Sequence, residues 1–241
     1  FGGSLPFNPR RAFGADLLLW LRDSLGVTLS TVGEWKDQSP TGLLLAQAAQ
    51  TARPTASGGA AVFDAGAAVL GAGTTPVALS AVTVIVRRKR TAALGVNSGW
   101  KVQSLVRATN TIVVTQDINY AGWKARSFNA GLAASGAWVG VDDALTTSVE
   151  TFLWTCANTA DATNPAQYTA RLNGIGTAVA ASGPGGSGTG VPHEIGGNLL
   201  GAQGAGGPVS AYVVYSSVLS AANQAAAETL IANSASTYAD F

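Results

Sequence analysis

Five segments rich in β-branched and aromatic residues, each bounded by turn-formers, constrain this chain more than anything else in it. They are Ala81-Val82-Thr83-Val84-Ile85-Val86, Ser104-Leu105-Val106-Arg107, Thr111-Ile112-Val113-Val114-Thr115, Thr151-Phe152-Leu153-Trp154-Thr155 and Tyr168-Thr169-Ala170-Arg171-Leu172. Such side chains suit a pleated surface, so each segment is predicted to be a strand. Asn110 and Asn173-Gly174 supply the positive φ that tight reversals need, which makes neighbouring strands antiparallel. Near the end, Val209 to Tyr215 alternates like a further strand. Ser220 then precedes the alanine-rich run 221–232, as the N-cap of the one confident helix.

Composition agrees with many short strands. With 47% hydrophobic residues, 11% charged residues and 30 glycines among 241, the chain has the apolar surface for a sizeable core and lacks the charge that keeps a polypeptide expanded. A net charge of +1 provides no global field for nucleic acid or an anionic membrane. Apolar runs such as Leu43-Leu44-Leu45 are far shorter than the roughly 20 residues a membrane helix needs. The first residues carry no basic region followed by an apolar core, so no secretory signal is read there. Cys156 is the sole cysteine, which excludes an intrachain disulfide, and its apolar neighbours mark it as a small buried residue of a strand.

Residues 1–13 combine two prolines, two glycines, three aromatics and an arginine pair, and read as an extended arm ahead of a single domain spanning 14–241. Phe1, Phe7, Arg10, Arg11 and Phe13 are its candidate contacts with a partner subunit. Residues 181–190 are the most glycine-rich stretch and are predicted to be a mobile surface loop; no Lys-Ser/Thr follows, which argues against a phosphate loop.

Four blocks carry a resemblance to a known superfamily. Leu19-Trp20-Leu21-Arg22 leads into Trp35-Lys36-Asp37-Gln38-Ser39; Ala61-Val62-Phe63-Asp64-Ala65 follows; Tyr168 to Leu172 runs into Asn173-Gly174; and Glu194-Ile195-Gly196-Gly197 precedes Val209 to Tyr215, Leu219-Ser220 and the helix. Their order resembles the concanavalin A-like lectin/glucanase superfamily, in particular laminin-G-like modules of bacterial surface and phage structural proteins. The resemblance implies an all-β fold: a two-sheet antiparallel jelly-roll sandwich with one short C-terminal helix. Within it Trp20 and Trp35 are expected to pack, and Asp37 to close a turn through its side chain.

Catalytic patterns are absent from the sequence. The four glutamates, Glu34, Glu150, Glu194 and Glu228, are scattered, whereas retaining glycoside hydrolysis needs two carboxyls about 5 Å apart. The single histidine, His193, has no Gly-x-Ser-x-Gly partner. One His and one Cys leave no nitrogen-and-sulfur ligand set for zinc. No cofactor is expected; calcium on loop oxygens stays open, with Asp37, Asp64, Asp142 and Asp143 as candidates. The basic run Arg87-Arg88-Lys89-Arg90 reads as an exposed strand end that resists edge pairing, with an acidic partner or anionic glycan as the other reading.

Three tryptophans, Trp100, Trp123 and Trp138, sit among Gly, Ser, Asn and Lys rather than in apolar runs. With Asn97 they are candidates for stacking on a sugar, against the alternatives of capping the sandwich or filling an interface. Taken together, the resemblance and the arm lead to a non-enzymatic structural protein of a phage particle, a head decoration or fibre or a tail-associated adhesion module on the virion surface. Its expected partners are other virion subunits and a host surface glycan. The alternatives are a carbohydrate-binding lectin module and, behind it, a glycoside hydrolase.

Overall fold

The computed structural model describes residues 16–22, 34–39, 42, 44–46, 54–57, 60–63, 70–72, 81–89, 101–106, 112–117, 122–127, 139–142, 149–157, 165–184, 194–195 and 207–234. They form three antiparallel sheets and one helix. Numbered in chain order, the largest sheet runs β14 (Ile175–Pro184), β13 (Pro165–Leu172), β12 (Val149–Ala157), β7 (Ala81–Lys89), β16 (Gly207–Tyr215), β5 (Ala60–Phe63) and β4 (Thr55–Ser57). Strand β1 (Leu17–Arg22) also joins β16, pairing residues 211–215, while β5 pairs residues 207–209. A second sheet orders β11 (Val139–Asp142), β10 (Gly122–Ser127), β9 (Ile112–Asp117) and β8 (Lys101–Val106); a third orders β15 (Glu194–Ile195), β6 (Leu70–Ala72), β3 (Leu44–Ala46) and β2 (Glu34–Lys36). Helix α1 covers Ala221–Ser234.

The central strands are buried on both faces. Register places Trp20, Val213, Ile85, Leu153 and Arg171 in one row across β1, β16, β7, β12 and β13. The first four of these join Leu17, Ala211, Tyr215, Leu219, Ala227 and Ile231 in one core cluster, so this face is closed by α1. On the opposite face Leu21, Val84, Val86, Phe152, Tyr212 and Val214 are fully buried as well. That explains the unbroken apolar run in β7, because a strand covered on both sides has no solvent face to alternate with. Burial pushes the phenols of Tyr212 and Tyr215 upward, which keeps both neutral.

α1 starts where the sequence places it. Ser220 Oγ accepts the backbone N–H of Asn223 at 3.3 Å, and the buried positions Gln224, Ala227, Glu228 and Ile231 fall at helical spacing on one side. Thr83, buried in β7, fixes the approach to the helix: its hydroxyl donates to the Ser217 carbonyl at 2.8 Å and accepts the Leu219 N–H at 3.0 Å. Gln224 Nε2 donates to the Leu219 carbonyl at 2.7 Å, so this polar member of the buried stripe is satisfied locally.

Asp37 does more than close a turn. Its Oδ1 accepts the Ser39 N–H at 2.7 Å and also the Trp20 N–H at 2.8 Å, while Oδ2 accepts the Ser39 hydroxyl. Gln38 N–H donates to the Trp20 carbonyl at 2.8 Å. The two halves of the Leu-Trp-Leu-Arg and Trp-Lys-Asp-Gln-Ser pattern are therefore locked together at Trp20, and both Trp20 and Trp35 are buried as expected. Three donors thus already use the Asp37 carboxylate.

Two expectations are corrected. β14 extends through Pro184, so residues 181–184 belong to a strand that pairs Pro184 with Pro165, and the predicted loop does not begin at 181. β7 extends through Lys89 between β12 and β16, so Arg87 and Arg88 lie on a doubly paired central strand and cannot guard an edge. Trp123, set among Gly and Lys rather than in an apolar run, lies in the strand β10, while β8 and β9 overlap the strands expected at 104–107 and 111–115.

Two substitutions test these contacts. Asp37→Ala removes three hydrogen bonds at a buried carboxylate and is expected to lower stability by about 2–4 kcal/mol. Thr83→Val keeps shape but strands the Leu219 N–H and Ser217 carbonyl, at a cost of about 1–3 kcal/mol. Urea denaturation midpoints read both; a loss under about 0.5 kcal/mol for either, the range of ordinary surface changes, would contradict the role given to that side chain.

Candidate functional site

At one corner of the face beneath α1 the apolar core gives way to polar side chains. The row that ends in Arg171 lies beside a second row in which Ala211, Arg87 and Thr151 oppose one another across β16, β7 and β12. Asn173 completes it from the β13–β14 turn. Its N–H donates to the Thr151 carbonyl at 2.8 Å, and its Oδ1 accepts the Thr151 N–H at 2.8 Å, so the side chain continues the strand ladder past Leu172. Asn173 and Gly174 take φ of 51° and 79°, the left-handed pair of a two-residue hairpin, which Asn-Gly adopts at low cost.

The turn holds Arg171 close to the helix. Arg171 Nη2 donates to the Gly174 carbonyl at 2.8 Å, and Nε donates to Glu228 Oε2 at 2.8 Å. This ion pair ties the hairpin to α1, with the glutamate side chain 5% exposed and the arginine 25%. Between the helix and the strands lies a cleft of about 320 Å³ lined by Arg87, Thr151, Arg171, Asn173, Glu228 and Thr229. Its size falls at the small end of small-molecule sites.

Two atoms in this corner lack partners. Arg87 Nε and Glu228 Oε1 are both buried without a hydrogen bond. Among the described residues, the Arg87 guanidinium makes one long side-chain bond, Nη1 to Thr151 Oγ1 at 3.4 Å. Burial lowers the Arg87 pKa, yet a guanidinium remains cationic at any ordinary pH. Burial also raises the Glu228 carboxyl above the usual range, while the charge and hydrogen bond of Arg171 and the Gly174 backbone draw it partway back. Arg87, Arg171 and Glu228 thus leave the corner with one excess positive charge when the glutamate is ionised.

Few of the candidate residues read from the sequence fall among the described ones. Trp123 has its backbone in β10, opposite Gln116 and Val141, and so belongs to a strand rather than a loop. Asp142 ends β11 opposite Gly122. Trp100, Trp138, Asn97, His193, Asp64 and Asp143 lie outside the described residues, as do Phe1, Phe7, Arg10, Arg11 and Phe13. Among the described residues no three His, Cys, Asp or Glu side chains gather into a metal-binding group. The cleft itself escaped the sequence reading, although one signal was available: Glu228 falls at helical spacing with Ala227 and Ile231, which puts a carboxylate on the buried side of α1.

No family model and no curated protein matches the chain. Solved structures do match its fold. Trypanosoma rangeli sialidase in complex with 2,3-difluoro-KDN superposes with a TM-score of 0.55 at 13% identity, covering 95% of this chain and 34% of that one. The ligand-binding domain of botulinum neurotoxin serotype D, solved with N-acetylneuraminic acid, superposes with a TM-score of 0.58 at 8% identity, covering 92% of this chain and 52% of that one. The chain therefore spans about a third of the sialidase and about half of the neurotoxin domain. At these identities the likeness is one of fold: a mostly β, antiparallel architecture with a short helix.

The Glu228 environment predicts a pH dependence. A carboxyl whose pKa is higher in the folded state stabilises most below its ordinary value of 4.5 and loses that contribution as pH rises through the folded value. Denaturation free energies of the wild type and Glu228→Gln, compared from pH 4 to pH 8, should show the variant lacking part of the wild-type decline. Identical slopes would assign the titration to another group.

Proposed function

We propose that this chain is a non-catalytic carbohydrate-binding module, built as a two-sheet antiparallel sandwich of the concanavalin A-like jelly-roll type. The observation that carries the reading is the polar cleft under α1, a monosaccharide-sized space lined by arginine, asparagine, threonine and glutamate. Planar guanidinium and amide groups suit sugar hydroxyls because each offers several hydrogen-bonding directions fixed in one plane. The fold likeness supports the reading by analogy, since the neurotoxin domain was solved with a sugar in place and matches across nearly the whole of this chain.

This reading stands ahead of a role as a phage particle component. The arm on which anchoring to virion subunits depends lies outside the described residues, and the particle role rests on the sequence motifs. The two roles are compatible, because an adhesion module on a virion surface would also bind a glycan. The proposed cleft also differs from the tryptophan-bearing region, since its lining comes from β7, β12, the β13–β14 hairpin and α1.

A glycan array that spans neutral and acidic saccharides, run beside an assay for released reducing ends, tests the proposal. Retention of at least one saccharide class without turnover is expected. Failure to retain any would defeat it, and saccharide release would replace it with a hydrolase.

A further inference from the structure

Two residues that line the cleft, Arg87 and Glu228, each carry a buried unpartnered atom, and the two side chains are chemically complementary to different parts of one ligand. Arg87 Nε is a buried cationic donor and Glu228 Oε1 a buried acceptor, and each lacks a hydrogen bond. Leaving such groups empty costs free energy, so a ligand that meets both recovers it. Arg87 wants an anionic, preferably planar, acceptor such as a carboxylate. Glu228, with Oε2 already held by Arg171 at 2.8 Å, wants a hydroxyl donor. A molecule that carries a carboxylate beside hydroxyl groups satisfies both, whereas a neutral sugar leaves the arginine unmet and a simple carboxylate leaves the glutamate unmet. The excess positive charge of the corner acts in the same direction.

We propose that the cleft between α1 and the β12–β13 corner is the binding site for an acidic sugar, with the sugar carboxylate toward Arg87 and a hydroxyl toward Glu228, both of which line it. This rests on the carbohydrate-binding reading and adds to it the ligand class and the residues that select it. Arg171 is a positioning residue: it holds the Glu228 carboxylate by Oε2. The hairpin turn contributes by holding Arg171 through the Gly174 carbonyl at 2.8 Å.

The test is a titration of the whole chain, followed by backbone amide chemical shifts, with D-glucuronic acid, N-acetylneuraminic acid, glucose, N-acetylglucosamine and acetate as separate probes. One or both acidic sugars should shift amides of residues 171–174 and 225–232 saturably, and the neutral sugars and acetate should do so at least tenfold more weakly. Arg87→Gln should weaken the acidic sugar about 10- to 100-fold by removing a charge-assisted contact. Arg87→Lys, which keeps the charge without the planar fork, should fall between. Because the wild-type shifts locate the site without any substitution, a variant that fails to fold does not remove the test. If neutral sugars shift the same amides as strongly, or if acetate binds as tightly as the acidic sugars, the ligand class is wrong. If a sugar binds but shifts amides elsewhere, such as those of β10 around Trp123, the cleft assignment fails while the carbohydrate-binding reading survives. If no saccharide binds at all, both fall.

Discussion

The structure depends on a pair of strands, β7 and β16, that have no solvent face. Residues 83–86 and 209–215 are buried on both sides of these strands, so each side must be covered. On one side the cover is α1, and Thr83 specifies how it arrives by satisfying the backbone on either side of Val218. A buried hydroxyl that bonds two backbone groups fixes a direction as well as a stability, because any other approach of residues 216–220 would leave it unpaired.

A second constraint ties the beginning of the described chain to its end. β1 pairs with β16 across nearly the full length of the sequence, and such non-local pairings must overcome a large loop-closure entropy before they contribute stability. Asp37 offsets part of that cost by gripping the backbone of Trp20 from the other edge. Its carboxylate then serves the turn at Ser39 and the strand at Trp20 together, which is why a short polar segment follows an apolar strand in the sequence.

The candidate site arises where this packing scheme runs out. Among the residues of α1 whose burial is described, Ala227 and Ile231 are the buried apolar ones, and Gln224 and Glu228 share the same stripe. A helix so weakly amphipathic leaves a polar corner when it lies on a sheet, and register brings Arg87, Thr151 and Arg171 to the same corner from three adjacent strands. Arg171 and Glu228 neutralise each other there, while Arg87 has no charged partner among the described residues. The fold supplies the scaffold, and the chemistry is lodged in a place where burial of that scaffold is incomplete.

Local signals were legible from residues alone wherever the physics was local. Asn173-Gly174 reads as a reversal because few residues tolerate positive φ, and Ser220 reads as a helix start because its hydroxyl can take a backbone N–H. The strands around Ile85, Leu153 and Val213 read as strands because their side chains fit a pleated surface. The basic run misled because charge implies solvent in the absence of other information, and whether β7 sits at an edge or at a centre depends on which strands find it. The approach of Arg87 to Arg171 and Glu228 is of the same kind. These residues are separated by tens of positions or more in sequence and meet through strand register and helix docking, so their cleft was decided by tertiary structure. Periodicity and turn chemistry act over a few residues, and they determined the elements; only long-range pairing could determine which charged groups those elements would leave face to face.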